Sequence, residues 1–321
     1  MAKYILKRLL WMIPVLLCVA IFIFTILYFT PGDPARMILG DTATQEELAE
    51  YRAVLGIDQP YLKQLFNYLK QLFLKLDLGV SYYSARTATG DVSSLSITAE
   101  LMRRLPRTAT LAAYSMVLAV LIGIPLGVIA ATHQDRIPDR VAMIVSLFGV
   151  SMPQFWIGLL LVLAFALKLG WFPPTGITDG WRSYVLPVIA VSFNGIATLA
   201  RLMRSNLLDV IRSDYVTTAR AKGVSKRAAI IKHAIPNALI PVITQVGSSF
   251  AKALGGSVIV ETVFSIPGIG LYMVTAIGQR DYPVIRGGVI YLCLIFSFVI
   301  LLIDIIYAFI DPRIKAMYEK K

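Results

Sequence analysis

The segment from Asp214 to Pro241, DYVTTARAKGVSKRAAIIKHAIPNALIP, holds the residue types and spacing best suited to chemistry, and that chemistry is adhesion. On a helix, Ala219, Val224, Ala228, Ile231 and Ile235 form one side, with Arg220, Lys226, Arg227 and Lys232 on another. Such a surface suits a soluble partner docking on a membrane protein; a helix lying along a membrane surface carries the same pattern. Catalytic motifs are missing from the sequence. It has no Gly-rich Lys motif to cradle phosphate and no nucleophile with a plausible base, and its two histidines, His133 and His233, do not support paired metal ligation. Cys18 and Cys293 lie inside apolar runs with neither metal-ligand nor redox spacing and read as packing residues. Any energy source must come from elsewhere.

The elements that position this segment are membrane spans. Hydrophobic residues make up 57% of the 321 and charged residues 16%, with a mean hydropathy of +0.71. That balance lies outside the range of soluble domains. A helix needs about 20 apolar residues to cross a hydrocarbon core about 30 Å thick. Six runs meet this requirement: Leu9 to Phe29, Leu101 to Ala131, Val141 to Leu167, Tyr184 to Met203, Asn237 to Phe264 and Gly287 to Ile310. Six spans place both termini on one side, and the excess of Lys and Arg makes that side cytoplasmic. Lys3, Lys7 and Arg8 precede the first span, Arg136 and Arg140 lie between the second and third, and a basic run from Arg201 to Lys232 follows the fourth. Arg313, Lys315, Lys320 and Lys321 form the tail. The opposite short loops hold only Lys168, Arg182, Arg280 and Arg286, while Arg103, Arg104 and Arg107 adjoin a long loop, where charge counts for less. The net charge of +12 thus reflects topology and contact with anionic lipid, not nucleic acid, for which there is no reading motif. The first run is too long for a signal-peptide h-region and is followed by Pro31-Gly32-Asp33-Pro34, so it reads as an uncleaved span.

Between the first two spans lie about 70 residues, too many for a turn, which predicts a small external folded element. Thr44 and Glu47 have capping-box spacing and predict a short helix through Arg52. Leu62, Leu65, Phe66, Leu69, Leu72, Phe73 and Leu76 recur at helical intervals and predict a second, whose apolar stripe packs on the spans, rests at the lipid interface or receives a solute receptor. Within the spans, Pro14, Gly123, Pro125, Gly127, Pro153, Gly158, Pro187 and Gly195 mark kinks and close helix approaches.

Charges inside spans are functional candidates by default. Glu261 near the outer end of span five and Asp304 near the inner end of span six are accounted for by hydration or helix capping. Lys252 is different: it stands about 24 Å along the helix from Pro236, past the midplane, on a face with Gln245, Ser248 and Ser249. These four are pore-lining candidates, the ammonium being suited to a carboxylate; snorkelling or pairing with a neighbouring subunit is the structural alternative.

The basic segment resembles the cytoplasmic loop of ABC importer permeases, which reads Glu-Ala-Ala, three residues, Gly, nine residues, then Ile-any-Leu-Pro. Gly223 and Pro236 stand at that interval and Ala219 is retained; Thr217 and Thr218 take the places of Glu and Ala, His233 of Ile and Ile235 of Leu. LYFTPGDPAR at Leu27 to Arg36, LGIDQPYLKQ at Leu55 to Gln64, ETVFSIPGIG at Glu261 to Gly270, RDYPVIRGG at Arg280 to Gly288 and YAFIDPRIK at Tyr307 to Lys315 extend the likeness over essentially the whole chain. Together they resemble the first permease subunit of dipeptide and oligopeptide ABC importers. The resemblance implies an all-α, six-helix membrane protein of the type I permease fold that forms half a pore in the bacterial inner membrane. It also implies the partners: a homologous second permease, two ATPase subunits that bind ATP and Mg²⁺, and an external peptide-binding protein. This chain itself would hold no cofactor and catalyse nothing. The coupling residues so implied are Thr217, Thr218, Ala219, Arg220, Ala221, Lys222, Gly223 and Pro236; at Thr217 a hydroxyl cannot make the charge-assisted pair open to a Glu.

The resulting organisation is residues 1–30 as N-terminus and first span, 31–99 as external element, 100–310 as the permease core with a coupling loop over 204–236, and 311–321 as a cytoplasmic tail. Import of dipeptides or oligopeptides is the expected function. Glutathione, a nickel chelate or another small solute is the alternative within the family. A secondary transporter driven by an ion gradient is the alternative outside it, although such folds show inverted repeats and midplane acids that this chain lacks.

Overall fold

A computed structural model describes residues 2–83 and 96–310. Part of the expected external element, 84–95, and the expected tail, 311–321, lie outside the described residues. The elements are α1 (Ala2–Phe29), α2 (Pro34–Leu39), α3 (Gln45–Leu55), α4 (Tyr61–Leu74), α5 (Ile97–Thr132), α6 (Ile137–Ser151), α7 (Gln154–Leu161) continued by a π-helical turn (Val162–Lys168), and α8 (Arg182–Ile211). There follow α9 (Asp214–Ala221), α10 (Lys226–Ala229), a second π turn (Ile230–Ala234), α11 (Ile235–Gly256), α12 (Val258–Val263), α13 (Ile269–Gly278) and α14 (Tyr282–Ile310). Among the described residues there is no strand, only an isolated bridge between Val80 and Ser96.

Among the described residues five helices are long and apolar enough to cross a membrane, and α6 with α7, bent by 102° at the break between them, passes the same test as a pair, which gives six if the pair counts as one span. The expected third span, Val141 to Leu167, is therefore not one helix. Pro153 is the cause: the residue before a proline is pushed out of the helical region, and Met152 is extended, with φ −83° and ψ 129°. Span four runs on past Met203 to Ile211, so Arg201 and Arg204 stand on a helix and not in a loop. Span five begins at Lys226 and ends by Gly256, short of the expected Phe264; Val258–Val263 forms a separate short helix, and α13 is an apolar helix that the span pattern does not anticipate.

The chain divides into two units, Met1–Arg107 with Pro267–Phe298 and Thr108–Ile266 with Val299–Lys321. In the first, Thr44 and Glu47 form the predicted capping box. The Glu47 N–H donates to Thr44 Oγ1 at 3.3 Å and the Thr44 N–H to Glu47 Oε2 at 2.8 Å, and α3 continues to Leu55, where the left-handed Gly56 ends it. The stripe of α4 is covered in part: Leu72 is buried against Leu16 and Ala20 of α1 and Ile290 of α14, whereas Leu62 and Phe66 are exposed and Leu76 lies past the end of the helix, also exposed. Asp281, at the start of α14, is buried and accepts hydrogen bonds from the Ser81 hydroxyl and the Tyr82 N–H. These bonds hold the chain after α4 to α14.

The second unit is built around α8. Lipid supplies no hydrophobic force between helices, so close packing must hold them together. Along α8 the buried positions include Ala190, Ala197, Leu199, Ala200 and Met203. Glycines of neighbouring helices lie against its backbone and a small side chain on it: a Cβ on Gly123 would stand 2.8 Å from the Ile196 carbonyl oxygen, one on Gly127 2.6 Å from that of Ala200, and one on Gly149 2.8 Å from Ala197 Cβ. No real Cβ tolerates such distances. We expect Gly127→Val to overpack this contact at a cost of about 1–3 kcal/mol, read as a lowered melting temperature and yield of the purified subunit; an unchanged melting temperature would mean that α5 and α8 are not in contact here.

Candidate coupling surface and membrane cavity

The basic segment is a helix, a glycine turn and a second helix seated on a buried cluster. After α8 the chain turns at Ser213, and α9 buries Val216 in a cluster with Met203, Leu207, Ala229 and Ala234. This anchor leaves Tyr215, Thr217, Thr218, Arg220, Ala221 and Lys222 exposed, with Ala219 half-buried. The Thr217 hydroxyl donates to the Ser213 carbonyl at 3.3 Å, so it is turned back on its own helix.

Gly223 has a local cause for being glycine. It lies at φ +91°, its N–H donates to the Arg220 carbonyl at 3.0 Å, and the Val224 N–H donates to the Ala219 carbonyl at 3.2 Å. That pair of bonds is a Schellman termination, in which a left-handed residue satisfies the last carbonyls of a helix. The space around Gly223 is open within this chain, so a side chain there is opposed by backbone conformation and not by a clash. Ser225 then caps α10, its hydroxyl accepting from the Ala228 N–H at 3.3 Å.

Pro236 lies inside a continuous helical run from Lys226 to Gly255 and not at the end of a loop. A proline has no N–H to offer the preceding turn. Here that turn is a π helix over Ile230–Ala234, and the Asn237 side-chain amide donates to the His233 carbonyl at 2.8 Å. The wider turn also shifts the helical phase. Ala219, Val224, Ala228 and Ile235 are half-buried as an apolar side should be, but Ile231 is 52% exposed, and Ala229 and Ala234 take the buried positions.

An ion pair that the sequence reading passes over holds the base of this segment. Arg204 of α8 donates through Nε and Nη2 to the two carboxylate oxygens of Asp139 at 2.5 and 2.7 Å, and the Asp135 N–H donates to the same carboxylate at 2.9 Å. Asp139 is buried, its carboxylate held bidentately by the planar guanidinium fork. About two turns farther along, at the residue that ends α8, Arg212 donates to Gln134 Oε1 at 3.2 Å. Asp139 left no sign in the sequence beyond an acid in the first turn of a span, with a Pro before it.

Three of the four pore-lining candidates meet in one place. Gln245, Ser249 and Lys252 line a cavity of about 390 Å³ together with Ser115, Gln154 and Ser192. Ser248 does not line it: at 100° per residue it stands about 60° round the helix from Gln245, at the edge of the arc. The Gln245 amide donates to Ser249 Oγ at 3.1 Å, and Ser115 Oγ is buried with no partner, so the wall is polar. Lys252 is exposed. Glu261 is not the hydrated or capping acid the sequence suggests. It is fully buried in the first turn of α12 and accepts from Thr108 Oγ1 and Ser257 Oγ, both at 2.8 Å. Asp304 is half-buried.

Residues 123–316 match the family described as binding-protein-dependent transport system inner membrane component, and residues 1–112 match its N-terminal domain. The chain belongs to this family. It is 42% identical over 315 residues to the glutathione transport system permease protein GsiC of Salmonella choleraesuis strain SC-B67, covering 98% of this chain and 99% of that one. With the protein of the same name from Escherichia coli strain K12 it is 39% identical over the same share of both chains. In fold it is similar to a solved structure titled an amino acid ABC transporter with histidines, with a TM-score of 0.53 at 19% identity, over 70% of this chain and all of that one. The protein is thus a multi-pass permease subunit of an ABC importer with the type I permease fold, a family that works with ATPase and substrate-binding partners. Membership leaves the ion-gradient alternative without support.

Removing one partner of a buried ion pair leaves an uncompensated charge, at a typical cost of 3–5 kcal/mol. Because the Arg204 side chain is 24% exposed, we expect Asp139→Ala to fall at or below the lower end, about 2–3 kcal/mol. Thermal unfolding of the purified complex measures it, with a shift no larger than that of Asp214→Ala on the exposed face meaning that the pair does not hold α6 to α8.

Proposed function

We propose that this chain forms half the pore of an ATP-driven importer of short peptides, glutathione being the first to test. It works beside a homologous second permease, with two ATPase subunits that bind ATP and Mg²⁺ and an external peptide-binding protein, and has no catalytic role of its own. The observation that carries this reading is the exposed basic helix α9 ended by the left-handed Gly223, seated on the end of α8. A short helix presented in this way suits a groove on an ATPase. With the Thr217 hydroxyl bonded back to the Ser213 carbonyl, Arg220 and Lys222 are the contacts left to make, and they call for acidic groups in the groove. Because α8 is tied to α6 through Arg204 and Asp139, a push on α9 moves the packed helices together and not the loop alone.

In this reading the coupling segment and both termini are cytoplasmic, and the residues from Pro31 to Thr98 are external, as the asymmetry of basic residues requires. A cysteine introduced at Ser225 should react with a membrane-impermeant maleimide in inverted vesicles and not in intact cells; the reverse result overturns the topology.

The cavity beside Lys252 is the segment of the pore that meets substrate, the ammonium facing a peptide carboxylate. Uptake of labelled glutathione into proteoliposomes holding the complete complex and its receptor should need ATP and no ion gradient. In the same vesicles Gly223→Val should let the complex assemble and hydrolyse ATP while lowering uptake per ATP at least several-fold. Lys252→Met should lower uptake per assembled complex and Lys252→Arg should keep part of it. Uptake that follows an ion gradient would overturn the reading as a whole; wild-type coupling in Gly223→Val would overturn the role of α9, and unchanged uptake in Lys252→Met the role of the lysine.

A further inference from the structure

A second cavity, of about 500 Å³, lies in the unit formed by Met1–Arg107 and Pro267–Phe298, and neither the coupling surface nor the cavity beside Lys252 accounts for it. Three side chains that line it carry buried polar atoms with no hydrogen-bond partner: Tyr68 Oη on α4, and Tyr282 Oη and Arg286 Nε on α14. Buried polar groups are nearly always bonded, and leaving one unmade costs more than a bond gains. Three at one cavity point to a shared occupant. They also sit together. Tyr282 and Arg286 are one turn apart on the same helix face, and the Arg286 guanidinium lies 4.8 Å from the centre of the Tyr68 ring and 5.4 Å from that of Phe24, which fixes its plane.

Charge narrows the class of occupant. The other ionised groups at this cavity, Asp33 and Arg52, serve each other: Arg52 Nη2 and Nε donate to Asp33 Oδ2 at 2.6 and 3.0 Å. Burial would raise the Asp33 carboxyl, but the bonds from Arg52 and the Ala35 N–H hold it below its ordinary value, so the pair stays ionised and neutral as a whole. No ion pair among the described residues engages Arg286. The side-chain amides nearby are also committed, with Gln64 Nε2 donating to the Ile57 and Gln59 carbonyls and Gln71 Nε2 to Asp77. Tyr82, a third phenol at the wall, accepts a hydrogen bond from the Arg286 side chain, so what remains is the Arg286 cation with its Nε–H free and the hydroxyls of Tyr68 and Tyr282. Burial pushes the Tyr68 hydroxyl up to about 12, with Arg286 opposing in part, so it keeps its proton at neutral pH. One positive charge with two neutral donors matches a monoanion with several lone pairs, which is a carboxylate more closely than a phosphate dianion. The remaining wall, with Phe24, Tyr28 and Leu55, suits an apolar body.

We propose that this cavity binds a small organic carboxylate, from an amino acid to a tripeptide in size, through Arg286 and the hydroxyls of Tyr68 and Tyr282. Its volume falls within the range of small-molecule sites and is far larger than a single docked side chain needs. The site rests on the proposed transport function only for the choice of probes.

The assembled complex in nanodiscs, without its external receptor, provides the test by equilibrium dialysis of labelled trialanine, trialaninamide, glutathione and inorganic phosphate. Trialanine should bind at least ten-fold more tightly than trialaninamide, and Arg286→Gln should weaken trialanine binding about ten-fold. Tyr282→Phe should weaken it several-fold while leaving the melting temperature equal or higher, because it deletes an unpartnered hydroxyl; a structural hydroxyl would lower the melting temperature instead. If Arg286→Gln does not assemble, Arg286→Lys and Tyr282→Phe carry the same comparison. Equal binding of acid and amide, binding unchanged in these variants, or no binding of any peptide would overturn the site. Phosphate binding alone would overturn it too, assigning the donors to a free phosphate or a lipid headgroup. Failure of ATP-driven glutathione uptake alongside trialanine binding that depends on Arg286 would sink the transport reading and leave this site standing; uptake retained without such binding does the opposite.

Discussion

The contact of glycines with the backbone of α8 is the constraint on which the larger unit depends. Within a bilayer, lipid tails are as apolar as leucine, and helices associate only where they come close enough for dispersion to favour protein neighbours over lipid. Gly123 against the Ile196 carbonyl, Gly127 against that of Ala200 and Gly149 against Ala197 bring helices that close, and small buried residues along α8 allow it on the other side. With its sides taken, α8 is set in position and length. It continues to Ile211, and one turn at Ser213 leads into α9. The seating of α9 by Val216 is therefore a consequence of packing made much earlier in the chain.

Polar groups in such a protein are either neutralised inside or turned toward a cavity, and both solutions occur. Asp139 takes a bidentate arginine, Glu261 two hydroxyls, and Asp281 a hydroxyl and a backbone N–H. Each is a buried carboxylate that organises the helices around it. Ser115 Oγ beside Lys252, and Tyr68 Oη, Tyr282 Oη and Arg286 Nε in the other unit, are buried atoms without a hydrogen-bond partner that border space. That contrast separates structural polarity from polarity that calls for a ligand or water.

The coupling segment shows how one residue can answer to two demands. Gly223 is needed locally because a Schellman turn requires a left-handed residue, and that same turn ends α9 and exposes its basic side. Its spacing to Pro236 is also local in origin, since α10 and the π turn separate the two positions. A family signature of this kind records the geometry of a presented helix, not the identity of what is transported. It carries the reading as a permease and leaves the solute to other parts of the system.

The sequence by itself determined the all-helical membrane class, the six-span pattern, the capping box at Thr44 and the basic segment with its glycine, because length, hydropathy and cap chemistry are local properties of a helix in lipid. The family resemblance, carried by motifs along the whole chain, was legible there too. It missed the break at Pro153 as a true bend of 102°, the extension of α8 to Ile211, the separate helices α12 and α13 and the outward turn of Ile231. Only the tertiary structure decided which charges pair. Arg204 and Asp139 are 65 residues apart, Glu261 and Thr108 are 153, and no periodicity links such positions. Gln245, Ser249 and Lys252 could be placed on one face from helical spacing alone, but whether that face meets a cavity, and that Arg286 and Tyr68 share another, depends on how helices distant in the chain approach one another. In a bilayer, where polarity no longer tells inside from outside, that approach is set by side-chain volumes and close contacts.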